Sequence, residues 1–234
     1  MKMCQFLFLI FLLNIYDIYS YEFKINSLQK VMKGNICGSI IGMMSIFITS
    51  PILPVYGIDE MITYKSLDSN NNKDCIYKFQ YPSDLILSPK LVKTHQEELY
   101  YKSKGIKGFN TGLTVDPVKI NSLKEFGTYN ELANKLLTIE KAKEGMFDAA
   151  IISSSESKDS SNTPYPVYDI EYKIDSSRGK KHYYVKATIV DKRLYVFTVQ
   201  ANEDTLDDIN IKNTAISIKD SFVVYPSSSS PSYK

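Results

Sequence analysis

Two histidines are the only imidazoles in the 234-residue chain, and each stands near carboxylates. His182 opens the run "HYYVKATIV", which is followed, after Asp191-Lys192, by "RLYVFTVQA". If those two runs form a hairpin, the cross-strand partner of His182 lies near Ala201, and Glu203 is two residues further on. Imidazole and carboxylate then share one sheet end. The plain chemistry of such a pair is a hydrogen bond between a strand-end histidine and a neighbouring acid. His95 sits in "KTHQEELYY" beside Glu97 and Glu98. Those are the residue types of a metal-ligand cluster, and the alternative is a solvated strand start.

Other chemistries find little purchase. Serines are plentiful, but no Gly-x-Ser-x-Gly occurs and neither histidine has a nucleophile beside it in sequence, so a hydrolytic triad is not supported. The glycines of "GIKGFNTG" precede a strand pattern, whereas a phosphate loop needs Gly-Lys-Ser/Thr opening a helix. They read as a hairpin loop. Lys180, Lys181, Lys192 and Arg193 gather around the two ends of the hairpin. They are candidates for steering the protein onto an acidic partner surface, with solvated turns as the plainer reading.

These residues need elements to hold them. "YDIEYKID" (168–175) alternates strictly, with Tyr168, Ile170, Tyr172 and Ile174 on one face and Asp169, Glu171, Lys173 and Asp175 on the other. That pattern predicts a strand with one wet face near a sheet edge. "SSRGK" turns the chain into the His182 strand, and Asp191-Lys192 turns it again. Taken as a two-residue turn, the latter puts Val185, Ala187, Ile189, Leu194 and Val196 on one face. Tyr184, Val190, Tyr195, Phe197 and Val199 remain on the other.

Both faces are apolar, so both need cover. Two helical regions can supply it. Ser122–Glu125 and Thr128–Glu131 each have the residues of a capping box, and Leu132, Ala133, Leu136 and Leu137 follow at helical spacing. Near the C-terminus, Ile211, Ala215, Ile218 and Phe222 form one stripe. Further strand runs are "CIYKFQYP", "HQEELYYKS", "TGLTVDPV" and "FDAAIISSS", the last followed by a mobile loop, "ESKDSSNTPYP". The expected fold is α+β, an α/β/α sandwich around a central, mainly antiparallel sheet.

The N-terminal 57 residues read as a targeting leader rather than as fold. Lys2 precedes the apolar run "FLFLIFLLNIY", too short to span a bilayer comfortably, which ends near Ser20 as a secretory signal does. "YEFKINSLQKVMKGN" is basic and acid-poor like an organelle transit segment. "ICGSIIGMMSIFITSPILPVYG" is apolar, rich in small residues and closed by prolines. Three zones in series imply three membranes to cross, against the alternative of paired membrane anchors. Removing residues 1–57 takes Cys4 and Cys37 away and leaves Cys75 without a disulfide partner. It also takes four lysines (Lys2, Lys24, Lys30, Lys33) and two acids (Asp17, Glu22) from totals of 28 basic and 26 acidic residues. The remainder is balanced, which does not suit a general nucleic-acid binder. Residues 58–75 read as a flexible lead-in, 76–225 as one domain and 226–234 as a disordered tail, with a monomer expected.

"FQYPSDLILSPK", "KTHQEELYY", "GLTVDPVKINSLKEFGT", "YDIEYKIDSSRGKKHYYVKATIVDKRLYVFTVQA" and a terminal "SF", taken in order, resemble a PsbP domain over roughly residues 76–224. The resemblance implies the same sandwich fold, residence in the thylakoid lumen, and a non-enzymatic role as an extrinsic photosystem protein. PsbP-type subunits of photosystem II help to retain calcium and chloride near the manganese cluster of the oxygen-evolving complex. At the positions of His182 and Glu203 that family carries a histidine and an aspartate proposed to bind manganese or a similar divalent ion. The resemblance thus implies a weak, exchangeable site for calcium, manganese or zinc here, with no tightly bound cofactor. It implies lumenal photosystem subunits and the peripheral thylakoid membrane as partners. The secretory zone ahead of the transit zone resembles import into a complex plastid with extra bounding membranes. The short, Asn-rich stretch 58–75 is closer to the PsbP-like and PsbP-domain branches, some of which serve photosystem I assembly or other thylakoid complexes. A Ran-binding Mog-type protein shares the fold superfamily, but the leader argues against a nuclear role.

Overall fold

An apolar β-ribbon covered on both faces organises the computed structural model, which describes residues 60–67, 75–88, 95–157 and 165–226. The leader expected over 1–57, the loop at 158–164 and the tail from 227 lie outside the described residues. Strands β1 (Met61–Leu67) and β2 (Cys75–Pro82) lead into β3 (Leu85–Leu87), β4 (Glu97–Ser103) and β5 (Asn110–Pro117). Helix α1 (Tyr129–Lys141), β6 (Met146–Ser157), β7 (Val167–Ser176), β8 (Gly179–Val190) and β9 (Arg193–Asn202) follow. Helix α2 (Ile209–Asp220) and the short β10 (Val223–Val224) complete the order.

Seven strands form one sheet in the order β3-β4-β5-β9-β8-β7-β6, and β1-β2-β10 form a second. Every pairing is antiparallel. Asp191 and Lys192 form the β8–β9 turn with φ of 50° and 58°, and Val190 faces Arg193 across it. Positive φ at both turn residues is the signature of the primed hairpin turns, whose twist matches that of the strands. The two-residue register is therefore as the sequence predicts.

With that register, Tyr183, Val185, Ala187, Ile189, Leu194 and Val196 enter one core beneath α1. Tyr184, Val190, Tyr195, Phe197, Val199 and Ala201 enter the other. The second core is roofed by α2, through Ile211, Ala215 and Ile218, and also by the small sheet, through Tyr77 and Phe79. The expected helix–sheet–helix sandwich is present, with that extra β layer beside α2. Phe197 shows why this layer matters: it is fully buried, its ring stacks 4.7 Å from Phe222, and it lies 5.0 Å from Phe79.

Three local expectations need correction. Residues 58–75, read as flexible lead-in, contain β1, which pairs with β2 from Met61↔Pro82 onward. Met61 and Tyr64 pack against the second core, and this burial outweighs the polar stretch that follows them. Ser122 and Glu125 do not close a capping box. Ser122 accepts from Lys124 N–H and Glu125 from Asn121 N–H, around a three-residue 3-10 turn, Leu123–Glu125. The second box, Thr128 with Glu131, is complete and starts α1. Finally, the supposed wet face of β7 is partly claimed by α2, since Asp169 Oδ1 lies 3.3 Å from Lys219 Nζ.

Phe197→Ala is expected to cost about 3–5 kcal/mol, measured as a drop in the urea midpoint. Leu87→Ala, on an exposed edge strand, should stay within about 0.5 kcal/mol; equal losses would show that the hairpin is not the core. A pH series tests the cap. Thr128 N–H, and then its hydroxyl, hold the Glu131 carboxyl below its ordinary value of 4.5. Its contribution is present above pH 4.5 and lost as pH falls through the lower folded value. The stability margin of the wild type over Glu131→Gln should therefore narrow as the solution is acidified below that point, and a margin that widens would refute the cap's role.

Candidate functional site

The β8–β9 register sets His182 opposite Ala201, and β7 sets it opposite Lys173. Glu203 opens the 3-10 turn Glu203–Asp207 that continues from β9. It brings Oε2 to 3.5 Å from His182 Nδ1, so the sequence-predicted pair does meet. On the other side of the ring, His182 Nε2 lies 2.8 Å from Glu171 Oε1. Tyr184 stacks on the imidazole at 4.7 Å with planes 27° apart. The histidine is thus buried and clamped between two carboxylates and a phenol.

Glu171 is the member that sequence reasoning missed. A signal was present: the alternation of β7 puts Glu171 on the same face as Asp169 and Lys173. Gly179 faces Ser176 across the β7–β8 turn, so Glu171 falls opposite Tyr184 and diagonal to His182. The hydrogen bond from His182 holds the Glu171 carboxyl below its ordinary range against the opposing effect of burial, with smaller help from Ser153 and Lys212. Burial pushes the Tyr184 phenol up to about 12, reinforced by the charges of Glu171 and Glu203.

Two of these side chains, His182 and Glu203, bear on the cation site that the family resemblance implies. Glu203 Oε2 is buried without a hydrogen-bond partner among the described residues, and it faces His182 Nδ1. Nε2 is meanwhile committed to Glu171, the arrangement by which a carboxylate fixes the tautomer and direction of a ligating imidazole. His182 and Glu203 would be the ligands, and a divalent ion held there would supply local positive charge between them. Among the described residues no group of three or more His, Cys, Asp or Glu side chains is placed to hold a metal ion. Two ligands confer exchange rather than tight retention.

The second histidine goes elsewhere. His95, Glu97 and Glu98 do not converge. His95 Nδ1 lies 2.6 Å from Asp116 Oδ2, both side chains being almost fully buried, and Asp116 Oδ1 accepts Gln96 N–H at 3.1 Å. Glu97 accepts the Tyr77 hydroxyl. Glu98, the next residue of the strand, is on the opposite face. The expected solvated strand start is instead a buried histidine–aspartate hydrogen bond that ties the residue ahead of β4 to β5.

The candidate docking cations fall into two groups at opposite ends of the hairpin. Lys180, exposed, lies 3.7 Å from Asp175. Lys181 is half-buried on the α1 side, and burial lowers its ammonium pKa, with Arg178 and Lys143 adding repulsion. Lys192 and Arg193 are exposed at the far turn, where the Lys192 carbonyl accepts Val118 N–H at 2.8 Å.

The PsbP family profile matches residues 65–224. The chain is 38% identical over 91 residues to PsbP domain-containing protein 2, chloroplastic, of Arabidopsis thaliana; the aligned part is 38% of this chain and 38% of that protein. The solution structure of cyanobacterial PsbP (CyanoP) from Synechocystis sp. PCC 6803 superposes with a TM-score of 0.56 at 20% identity, covering 73% of this chain and 96% of that one. That likeness establishes the fold. The Saccharomyces cerevisiae Ran-binding protein Mog1p gives a TM-score of 0.44 at 9% identity over 72% of this chain and 98% of its own, too distant to carry an argument.

Titration with manganese, calcium and zinc tests the cation site. Weak saturable binding is expected for wild type, absent in His182→Ala and Glu203→Gln, and weakened roughly 10–100-fold in Glu171→Gln. Identical curves for all four proteins would remove the site.

Proposed function

Because the chain belongs to the PsbP family, we propose that it is a non-enzymatic extrinsic protein of the thylakoid lumen that supports the photosystem II oxygen-evolving complex. The observation that carries this reading is the family match over 65–224, which spans both cores of the sandwich. The support given to the photosystem would be retention of calcium or chloride, stability or assembly. The ordered leader zones favour a complex plastid with extra bounding membranes.

The site geometry is compatible with a binding role. Both histidines are held by carboxylates, which fixes the direction of each ring, and the non-enzymatic reading rests on the family. Docking would be electrostatic, through Lys180 and Lys181 at one end of the hairpin or Lys192 and Arg193 at the other, each pair meeting acidic lumenal subunits. Such contacts steer association and are screened by salt. A second reading is an assembly factor for photosystem I or another thylakoid complex. It is favoured by the likeness to a PsbP domain-containing protein.

Fractionation of plastids tests both. The mature chain is expected on the lumenal side of thylakoid membranes, co-migrating with photosystem II on native gels and released by about 1 M salt, where the screening length falls to about 3 Å. Co-migration with photosystem I would select the second reading. Retention on salt-washed membranes with residues 1–57 intact would overturn the soluble lumenal form.

A further inference from the structure

The most unusual chemistry outside the His182 cluster lies between the two sheets. Tyr77 of β2 is fully buried, yet its hydroxyl donates to a carboxylate, Glu97 Oε1 of β4. Phenylalanine would fill the same space, and the Glu97 carboxylate is half-buried, where losing water is costly unless it is hydrogen-bonded. Packing alone therefore explains neither the hydroxyl nor the acid. Two more phenols adjoin the ring. Tyr64 of β1, half-buried and so open on one side to water, stacks at 6.0 Å with planes 21° apart; Tyr195 of β9 meets it edge-on at 6.0 Å.

A phenol loses an electron readily only if its proton can leave at the same time, because the protonated radical is a very strong acid. In a dry interior that proton needs a base already in hydrogen-bond contact. Tyr77 has one. Tyr64 and Tyr195 have no hydrogen bond to a carboxylate among those found in the described residues. Burial and the Glu97 charge also raise the Tyr77 pKa, so the phenol stays protonated until an electron is removed.

We propose that Tyr77 is a redox-active tyrosine, with Glu97 as its proton acceptor and Tyr64 as the surface-side ring through which an oxidising equivalent arrives. The oxidant is a one-electron acceptor of the oxygen-centred-radical or high-valent-metal class. It takes one electron from the Tyr64–Tyr77 pair. The O–H bond of Tyr77 breaks, the proton forms a new O–H bond on Glu97, and a neutral phenoxyl radical remains on Tyr77. Reduction by one electron returns the proton along the same hydrogen bond. The array would thus hold an oxidising equivalent inside the protein, away from the exposed backbone. This assignment stands whichever complex the chain meets.

Flash photolysis of the full chain with a ruthenium tris-bipyridine photosensitiser and a sacrificial acceptor, read by electron paramagnetic resonance, tests it. Wild type is expected to give a neutral tyrosyl signal at least tenfold longer-lived than that of Tyr77→Phe. Glu97→Gln, a change on a different strand, should lose the long-lived signal likewise, and Tyr64→Phe should slow its rise without changing its final size. Urea midpoints and near-ultraviolet circular dichroism confirm that each variant is folded. An unchanged long-lived signal in Tyr77→Phe or Glu97→Gln would overturn the proposal, and an unchanged rise in Tyr64→Phe would remove that ring from the route.

Discussion

The β8–β9 hairpin is apolar on both faces, and that demands cover from two sides at once. A half-buried sheet would have needed one layer; this ribbon exposes Ile189 and Leu194 one way and Tyr195 and Phe197 the other, and water can be tolerated by neither. The covering elements follow from it. Helix α1 lies over the first face, while α2 and the three-stranded sheet share the second. β1, which has little burial of its own, exists because it extends that second roof through Met61 and Tyr64. Some polar side chains are nevertheless buried along the ribbon, Lys186 and Thr188 on β8 and Thr198 and Gln200 on β9, while His182 and Glu203 lie at one end of it.

At that end, the neighbours of His182 are fixed by register, not by a loop able to adjust. A one-residue slip between β8 and β9 would turn His182 toward α1 and leave Glu203 without it. The pairing across β7 is equally binding, because Glu171 reaches the imidazole only from the diagonal position. The cluster's geometry is therefore tied to that of the hairpin. The two carboxylates beside the imidazole are only partly buried, and the hydrogen bond from His182 holds the Glu171 pKa down against the opposing effect of burial.

What could be read from the sequence followed period and spacing. The hairpin faces, the Thr128–Glu131 box, the α2 stripe and the meeting of His182 with Glu203 are all local patterns or one register step from one. The family resemblance, read from ordered motifs, accords with the profile match over 65–224. Illegible were contacts that needed partners far away in sequence. β1 looked like a tether because its own stretch is short and followed by asparagines; its stabilising contacts come from β2 and the second core. Asp116 gave no sign of receiving His95, since the two are brought together only when β4 pairs with β5. Ser122 and Glu125 matched a capping pattern, but a box needs a helix behind it, and Gly127 (φ 126°) with Thr128 starts a new segment too soon.

The turn at the far end of the ribbon carries a disproportionate share of this specificity. Asp191 and Lys192 both occupy the left-handed region without glycine, a conformation that costs on the order of 1 kcal/mol or more per residue. A glycine would relieve the strain but would also admit other turns, and with them other registers. The chain instead keeps the strained pair and fastens it with the Val118 N–H bond to the Lys192 carbonyl, so that β5 and its exit loop brace the turn. Register set there is transmitted through nine further cross-strand pairs to Lys181↔Asn202, and so to Glu203. A strained loop at one end of the sheet thereby determines which face the histidine presents at the other, and the two-sided core makes every intermediate slip unfavourable. The cation-bearing tip and the His182 cluster are for that reason coupled in geometry although they never touch.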